Sequence, residues 1–166
     1  MNKSKIRKKI LKLRELKYTK NNNINILSLV SLLKKNYKKK VSVGGYIPIN
    51  FEIDDLEILK ELEKKKMKIS LPVIENKKNM NFYNWSFNKP LTLNSYGIPE
   101  PIKSKIIIPD IVLVPMVAFD NMLFRIGYGG GFYDRYFAKI EKKKKILKIG
   151  LAYSFQKVNK VPANKY

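Results

Sequence analysis

The chain has no cysteine and no histidine among its 166 residues. Without cysteine there can be no disulfide, no thiolate nucleophile and no cysteine metal site. Without histidine, a Ser-His-Asp triad, a histidine zinc site and imidazole acid–base chemistry are all excluded. Any catalysis must therefore use carboxylates, lysines, tyrosines, backbone amides or a hard cation. Long apolar runs are missing too. The longest, residues 111–119, contains Pro115 and falls well short of the roughly 18 residues that cross a bilayer. Within residues 1–20, lysines and arginines break the apolar residues into runs of at most two, so the segment lacks the apolar centre of a secretory signal. These absences predict a cytoplasmic protein with no membrane partner.

Acidic residues are few, 13 against 35 basic ones, which leaves a formal charge of +22. Basic surfaces gain affinity for phosphate backbones by counterion release. Arginine, however, supplies the planar bidentate recognition that phosphates and bases favour, and it too is scarce: only Arg7, Arg14, Arg125 and Arg135. The lysines are scattered, with runs at 38–40, 64–66 and 142–145, alongside abundant asparagine and isoleucine. That pattern reads as a compositional bias rather than a designed face. No specific nucleic-acid partner is expected; a basic nucleic-acid or ribosome-associated binding protein is the alternative reading.

Hydrophobic residues make up 45% of the chain and are spread along it, enough for one core in a single domain over residues 1–166. A monomer is expected. Ile6, Ile10, Leu13 and Lys17 recur at helical spacing and predict an amphipathic helix over 3–17, with a second helix over 24–37. A strand is predicted over 41–49, where Gly44, Gly45 and Pro48 lead it into a loop. Asp54 or Asp55 then caps a helix running to about residue 65 with Leu56, Leu59 and Leu62 inward. Strands follow at 68–74 and 81–87. Pro90, Gly97, Pro99 and Pro101 make the next stretch a constrained loop. Residues 106–108 and 111–114 form a near-continuous apolar run expected of a central strand covered on both faces, ended by Pro115. A helix over 132–142 and a strand over 147–152 complete the pattern. This alternation predicts an α/β fold, three-layer α/β/α with a mostly parallel central sheet, Rossmann-like in architecture.

The stretch with most chemical content reads Arg125-Ile126-Gly127-Tyr128-Gly129-Gly130-Gly131-Phe132-Tyr133-Asp134-Arg135. Four glycines in five positions, between a buried strand and a helix, let backbone amides approach an anion while the helix N-terminus adds positive potential. The pattern fits neither GxxxxGK[ST] nor GxGxxG, because no Lys-Ser/Thr follows and Phe132 holds the last glycine position. Two readings of the run stay open: an anion cradle, or a tight turn that needs glycine with no ligand. Asp134 either holds Mg²⁺ or serves helix N-terminal electrostatics. Arg125 either neutralises charge on a transferred phosphoryl group or is a surface cation. Phe82, Tyr83 and Trp85, at strand spacing, read as packing rather than as a ligand platform.

The run Asp110-Ile111-Val112-Leu113-Val114-Pro115, then Ala118-Phe119-Asp120, Arg125 and residues 127–134, resembles the signature of the 5-formyltetrahydrofolate cyclo-ligase family in order and spacing. Lys3 with Ile6-Arg7, Tyr46-Ile47-Pro48 with Glu52-Ile53-Asp54, and Tyr96-Gly97-Ile98 with Glu100-Pro101 agree with it. The resemblance implies an enzyme that spends ATP to close 5-formyltetrahydrofolate to 5,10-methenyltetrahydrofolate, releasing ADP and phosphate, with Mg²⁺ as cofactor. It implies ATP contacts from Lys3, Arg7, Arg125, Ile126, Gly127, Tyr128, Gly129, Gly130, Gly131, Phe132 and Tyr133. It further implies folate contacts from Ile47, Glu52 and residues 128–132, catalytic roles for Arg125 and Asp134, and Mg²⁺ on Asp134. Seen alone, Ile47 reads as core, Glu52 as an exposed charge before a helix, and Lys3 and Arg7 as a solvated helix face. The family pattern continues past Val161-Pro162 to a second acidic residue, so the chain is expected to lack its last C-terminal segment and that carboxylate. A sugar-phosphate isomerase of similar architecture is a third reading, separated by ATP dependence.

Overall fold

The computed structural model describes residues 2–19, 28–31, 33, 41–76 and 78–162. Helix α1 spans Lys3–Lys17 and is capped by Asn2, whose Oδ1 accepts from the Lys5 amide at 2.9 Å. Its buried stripe is Ile6, Ile10 and Arg14, so the spacing expected to continue through Leu13 and Lys17 instead turns inward at a charged residue. Most of the helix expected over 24–37 lies outside the described residues; residues 28–31 and 33 are helical, and Val30 and Leu33 are buried.

Strand β1 is only Ser42–Gly44, shorter than the expected 41–49. The amide of Tyr46 donates to Asp55 Oδ2 at 3.0 Å rather than to a neighbouring strand, which ends the ladder. Gly45 makes that close approach possible, since a Cβ there would lie 2.4 Å from Leu59 and 2.6 Å from Asp55. Helix α2, Leu56–Lys64, buries Ile58, Leu59 and Leu62, with Leu56 half-buried. Asp55 stands at its N-cap without a side-chain capping bond, whereas Asp54 Oδ1 accepts from the Leu56 amide at 2.8 Å. Strands β2 (Lys68–Ile74) and β3 (Met80–Trp85) follow, then a short hairpin of β4 (Leu91–Leu93) and β5 (Pro99–Pro101) within the proline-rich stretch. The central strand β6 is Ile111–Pro115. Residues 106–108 fall outside it, because Ile106 bridges to Tyr83 and the Ile107 amide donates to Phe82 O. A second hairpin, β7 (Ala118–Phe119) and β8 (Arg125–Ile126), leads into α3 (Phe132–Ile140) and β9 (Leu147–Leu151).

The main sheet runs β3-β2-β1-β6-β9, with β2, β1, β6 and β9 parallel and β3 antiparallel at the edge. Period-two alternation along β6 divides the core. Ile111 and Leu113 pack with Val43, Ile69 and the α2 leucines on one face, while Val112 and Val114 pack with Phe82, Tyr136 and Phe137 on the other. Helices thus cover both faces, as a buried parallel sheet requires. Phe82, Tyr83 and Trp85 are core, as expected. The order reverses between β1 and β6: from β1 the chain steps to β2, and from β6 it steps the other way to β9. In open α/β sheets, ligands bind beyond the carboxyl ends of the strands at such a reversal.

Candidate active site

A cavity of about 740 Å³ opens at that reversal, within the range of pockets that hold drug-sized ligands. Residues 125–135 line it without a gap, joined by Lys3, Arg7, Ile47 and Glu52. Every residue singled out from the sequence therefore reaches one space, including four that alone read as core or solvated surface.

The glycine loop forms one end. Gly131 is the N-cap of α3 in the left-handed conformation, φ 66°, and Gly129 has φ 110°, conformations in which other residues are strained. Beside the loop, Arg7 projects from α1 and its Nε donates to Gly127 O at 2.7 Å. Arg135 Nη2 donates to Gly130 O at 2.8 Å and its Nε to Lys78 O at 2.7 Å, with its guanidinium over the Phe132 ring. Asp134 is 74% exposed and pairs with Arg125 at 2.5 Å, and Arg125 also lies over the Tyr133 ring. The two residues with implied catalytic roles are thus each other's partners.

The other end is more deeply buried. Residues 49–52 form a tight turn in which the Glu52 amide donates to Ile49 O at 3.0 Å, and Asn50 and Phe51 both have positive φ, 47° and 60°. A bulky residue such as Phe51 is uncommon there, and such backbone clusters at binding sites. The turn folds the Glu52 side chain back, so that Oε2 accepts from the Ile49 amide at 2.9 Å while Oε1 is buried without a partner among the described residues. Glu52 is only 6% exposed, and burial pushes its carboxyl from the ordinary 4.5 up to about 7 against the opposing pull of the Ile49 amide, Arg14 and the Tyr128 hydroxyl. Asp55 behind it is fully buried and is also driven well above the usual carboxylate range by desolvation. The Tyr46 hydroxyl donates to Ile53 O at 2.7 Å, whereas the Tyr133 hydroxyl is buried with no partner.

A model of the 5-formyltetrahydrofolate cyclo-ligase family matches residues 1–166. The chain belongs to that family. Cyclo-ligases of the same name from Haemophilus influenzae and Mycoplasma genitalium are similar to it, at 30% identity over 80% of this chain and 73% of theirs, and 36% over 67% and 58%. Among solved structures, the 5,10-methenyltetrahydrofolate synthetase of Aquifex aeolicus superposes with a TM-score of 0.78 at 32% identity, over 100% of this chain and 85% of that one. The Mycoplasma pneumoniae synthetase shares the fold, with a TM-score of 0.73 at 24% identity, over 98% and 92%. These relatives give no support to the nucleic-acid reading.

Two features of this cyclo-ligase family member escaped the sequence. Arg14, buried on α1, donates to the Tyr128 hydroxyl and to Met116 O, and Arg135 ties the loop to the β2–β3 connection. Their signal was present in the composition. All four arginines of a lysine-rich chain line this cavity or bond to a residue that does.

Proposed function

We propose that this chain catalyses the ATP-dependent cyclisation of 5-formyltetrahydrofolate to 5,10-methenyltetrahydrofolate, with ADP and phosphate as the other products. The observation that carries the reading is one cavity with two chemically distinct ends in a chain of this family: a glycine loop ringed by arginines, and a buried carboxylate. The first suits a nucleotide's phosphates. The second suits the pterin's hydrogen-bond donors, since a carboxylate accepts two roughly parallel bonds from a guanidine-like edge.

The chemistry needs position more than a protein nucleophile. The formyl oxygen takes the γ-phosphoryl group of ATP as ADP leaves. The neighbouring anilino nitrogen then attacks the activated carbon, phosphate departs, and the nitrogen gives up its proton. Backbone amides of residues 127–131, the N-terminus of α3, Lys3 and Arg7 hold the phosphates. Arg125 exchanges Asp134 for the transferring phosphoryl oxygens and neutralises their charge. Ile47 packs against the pterin, Glu52 accepts its nitrogens, and residues 128–132 separate the two substrates.

Among the described residues no group of three acidic, histidine or cysteine side chains could hold a metal. Asp134 fits Mg²⁺ nonetheless, because that ion is commonly bound through one or two carboxylates plus substrate phosphates. Asp134 would hold the ion together with the nucleotide, and the ion supplies charge neutralisation at the phosphates. In this reading the enzyme works in the cytoplasm as a monomer; no helix among the described residues is long and apolar enough to cross a membrane. Purified protein with 5-formyltetrahydrofolate, ATP and Mg²⁺ should develop the near-ultraviolet absorbance of the methenyl product. Absence of that signal at saturating substrates would sink the assignment.

A further inference from the structure

Arg14 is 1% exposed and occupies the place on α1 where an apolar residue would continue the stripe of Ile6 and Ile10. Burying a guanidinium is costly unless it is paired, yet among the described residues no carboxylate lies within ion-pair distance of it. Its Nη1 donates to Met116 O at 3.3 Å, its Nη2 donates to the Tyr128 hydroxyl oxygen, and its Nε is buried without a partner. The guanidinium also lies 5.7 Å from the centroid of the Tyr128 ring. Across the same hydroxyl stands Glu52, itself buried with one oxygen unpartnered. Two opposite charges thus sit in one dry region, each incompletely satisfied and both addressing Tyr128. Since the hydroxyl oxygen accepts from Arg14, its proton remains available to donate.

We infer that Arg14 is a positioning residue for this reaction: it holds the Tyr128 hydroxyl beside Glu52 and favours the anionic form of that carboxylate, which sets the pterin acceptor and the nucleotide loop as one unit. The inference rests on the function proposed above. The groups facing Glu52 are Arg14 from α1, Tyr128 from the glycine loop, Tyr133 from α3, Tyr46 beyond β1, and Asp55 on its own segment. Tyr46 and Tyr133 are held protonated by burial, and burial drives Asp55 well above the usual carboxylate range, so none of them favours the Glu52 anion. Arg14 is the cation among them.

The test is the pH dependence of 5-formyltetrahydrofolate binding to the full chain without ATP, measured between pH 5.5 and 9. Wild-type affinity should rise through a midpoint near pH 7, where Glu52 ionises. Arg14→Met should move that midpoint up by about one unit, giving a roughly five- to tenfold loss at pH 7 that narrows to within about threefold at pH 9. Arg14→Lys should keep the midpoint but weaken binding a few-fold at every pH, because an ammonium cannot fork between the Met116 carbonyl and the Tyr128 hydroxyl. Tyr128→Phe should also shift the midpoint upward, and it keeps the idea open to refutation if Arg14→Met does not fold. A folded Arg14→Met or Tyr128→Phe protein with an unmoved midpoint and a uniform loss would make Arg14 merely structural and overturn the inference. Wild-type binding with no pH midpoint would overturn it as well, leaving the cyclo-ligase reading intact. No wild-type binding at any pH would instead defeat that reading.

Discussion

The two ends of the cavity solve opposite problems. At the glycine loop, Arg125 and Arg135 stay near water and each has found a protein oxygen, so a ligand there only exchanges partners. At the turn over residues 49–52, Glu52 and Asp55 are shut away, each with one oxygen that no described residue satisfies. The first end is electrostatically quiet and cheap to rearrange. The second is held against its own preference, and such strain is tolerated where binding relieves it. In the proposed reaction, nucleotide affinity thus comes from shape and backbone, and folate affinity from a costly buried charge.

The largest effect should come from filling the loop. Gly131→Val puts a branched side chain at φ 66° and its Cβ 2.6 Å from Arg135 Nη1, displacing the arginine that closes the loop. Nucleotide affinity should fall by roughly a hundredfold or more, on the scale of about 1.4 kcal/mol per tenfold, with an unchanged far-ultraviolet dichroism spectrum. Retained affinity would break the shape argument for that end.

Glu52→Gln comes next and separates the ends most sharply. Folate affinity should fall about ten- to a hundredfold, as expected for lost bonds to a charged group. Ligand-free stability should move the other way. Because the folded carboxyl is raised from 4.5 to about 7, its stabilising contribution is complete below pH 4.5 and lost as pH rises through 7. At pH 8 the glutamine variant should therefore be more stable than wild type by roughly 3 kcal/mol in urea titrations, and no more stable at pH 4. Equal stability at pH 8 would show that the buried charge costs nothing.

A smaller effect is expected at Asp134. The pair with Arg125 is exposed, so Asp134→Asn should change stability by less than about 1 kcal/mol. The Mg²⁺ concentration for half-maximal activity should rise by roughly tenfold. Unaltered Mg²⁺ dependence would remove Asp134 from the metal's coordination. The smallest change lies outside both ends: Leu123 has φ 63° and is 87% exposed, so Leu123→Gly should add up to about 1 kcal/mol by relieving backbone strain without loss of packing. Activity should not move, in contrast to the equally strained Phe51, whose turn carries Glu52.

The fold was legible where periodicity was clean. The expected strand 68–74 coincides with β2, and the expected helix over 132–142 is α3 with its last two residues removed. Errors arose where a tertiary bond overruled a local pattern. β1 ends early because Asp55 captures the Tyr46 amide, and residues 106–108 pair beside β3 instead of extending β6. Much of the cavity lining was legible through the glycine run and the family signature, which together named Lys3, Arg7, Ile47, Glu52 and residues 125–134. Arg14 was not, because in a lysine-rich helix an arginine at a core position looks like one more surface cation, and only Tyr128, 114 residues away in sequence, gives it a purpose.

The reversal of strand order has a mechanical consequence. The seam between β1 and β6 is short, aligning Val43 with Ile111 and Gly44 with Val112, and it is braced at its lower end by Asp110, which accepts from both the amide and the hydroxyl of Ser42 at 2.7 Å. Its upper end is the cavity. Glu52 belongs to the half built on β1, and the glycine loop to the half built on β6. A folate and a nucleotide lying together across that opening would act as a rivet at the end of the seam opposite the brace between Asp110 and Ser42.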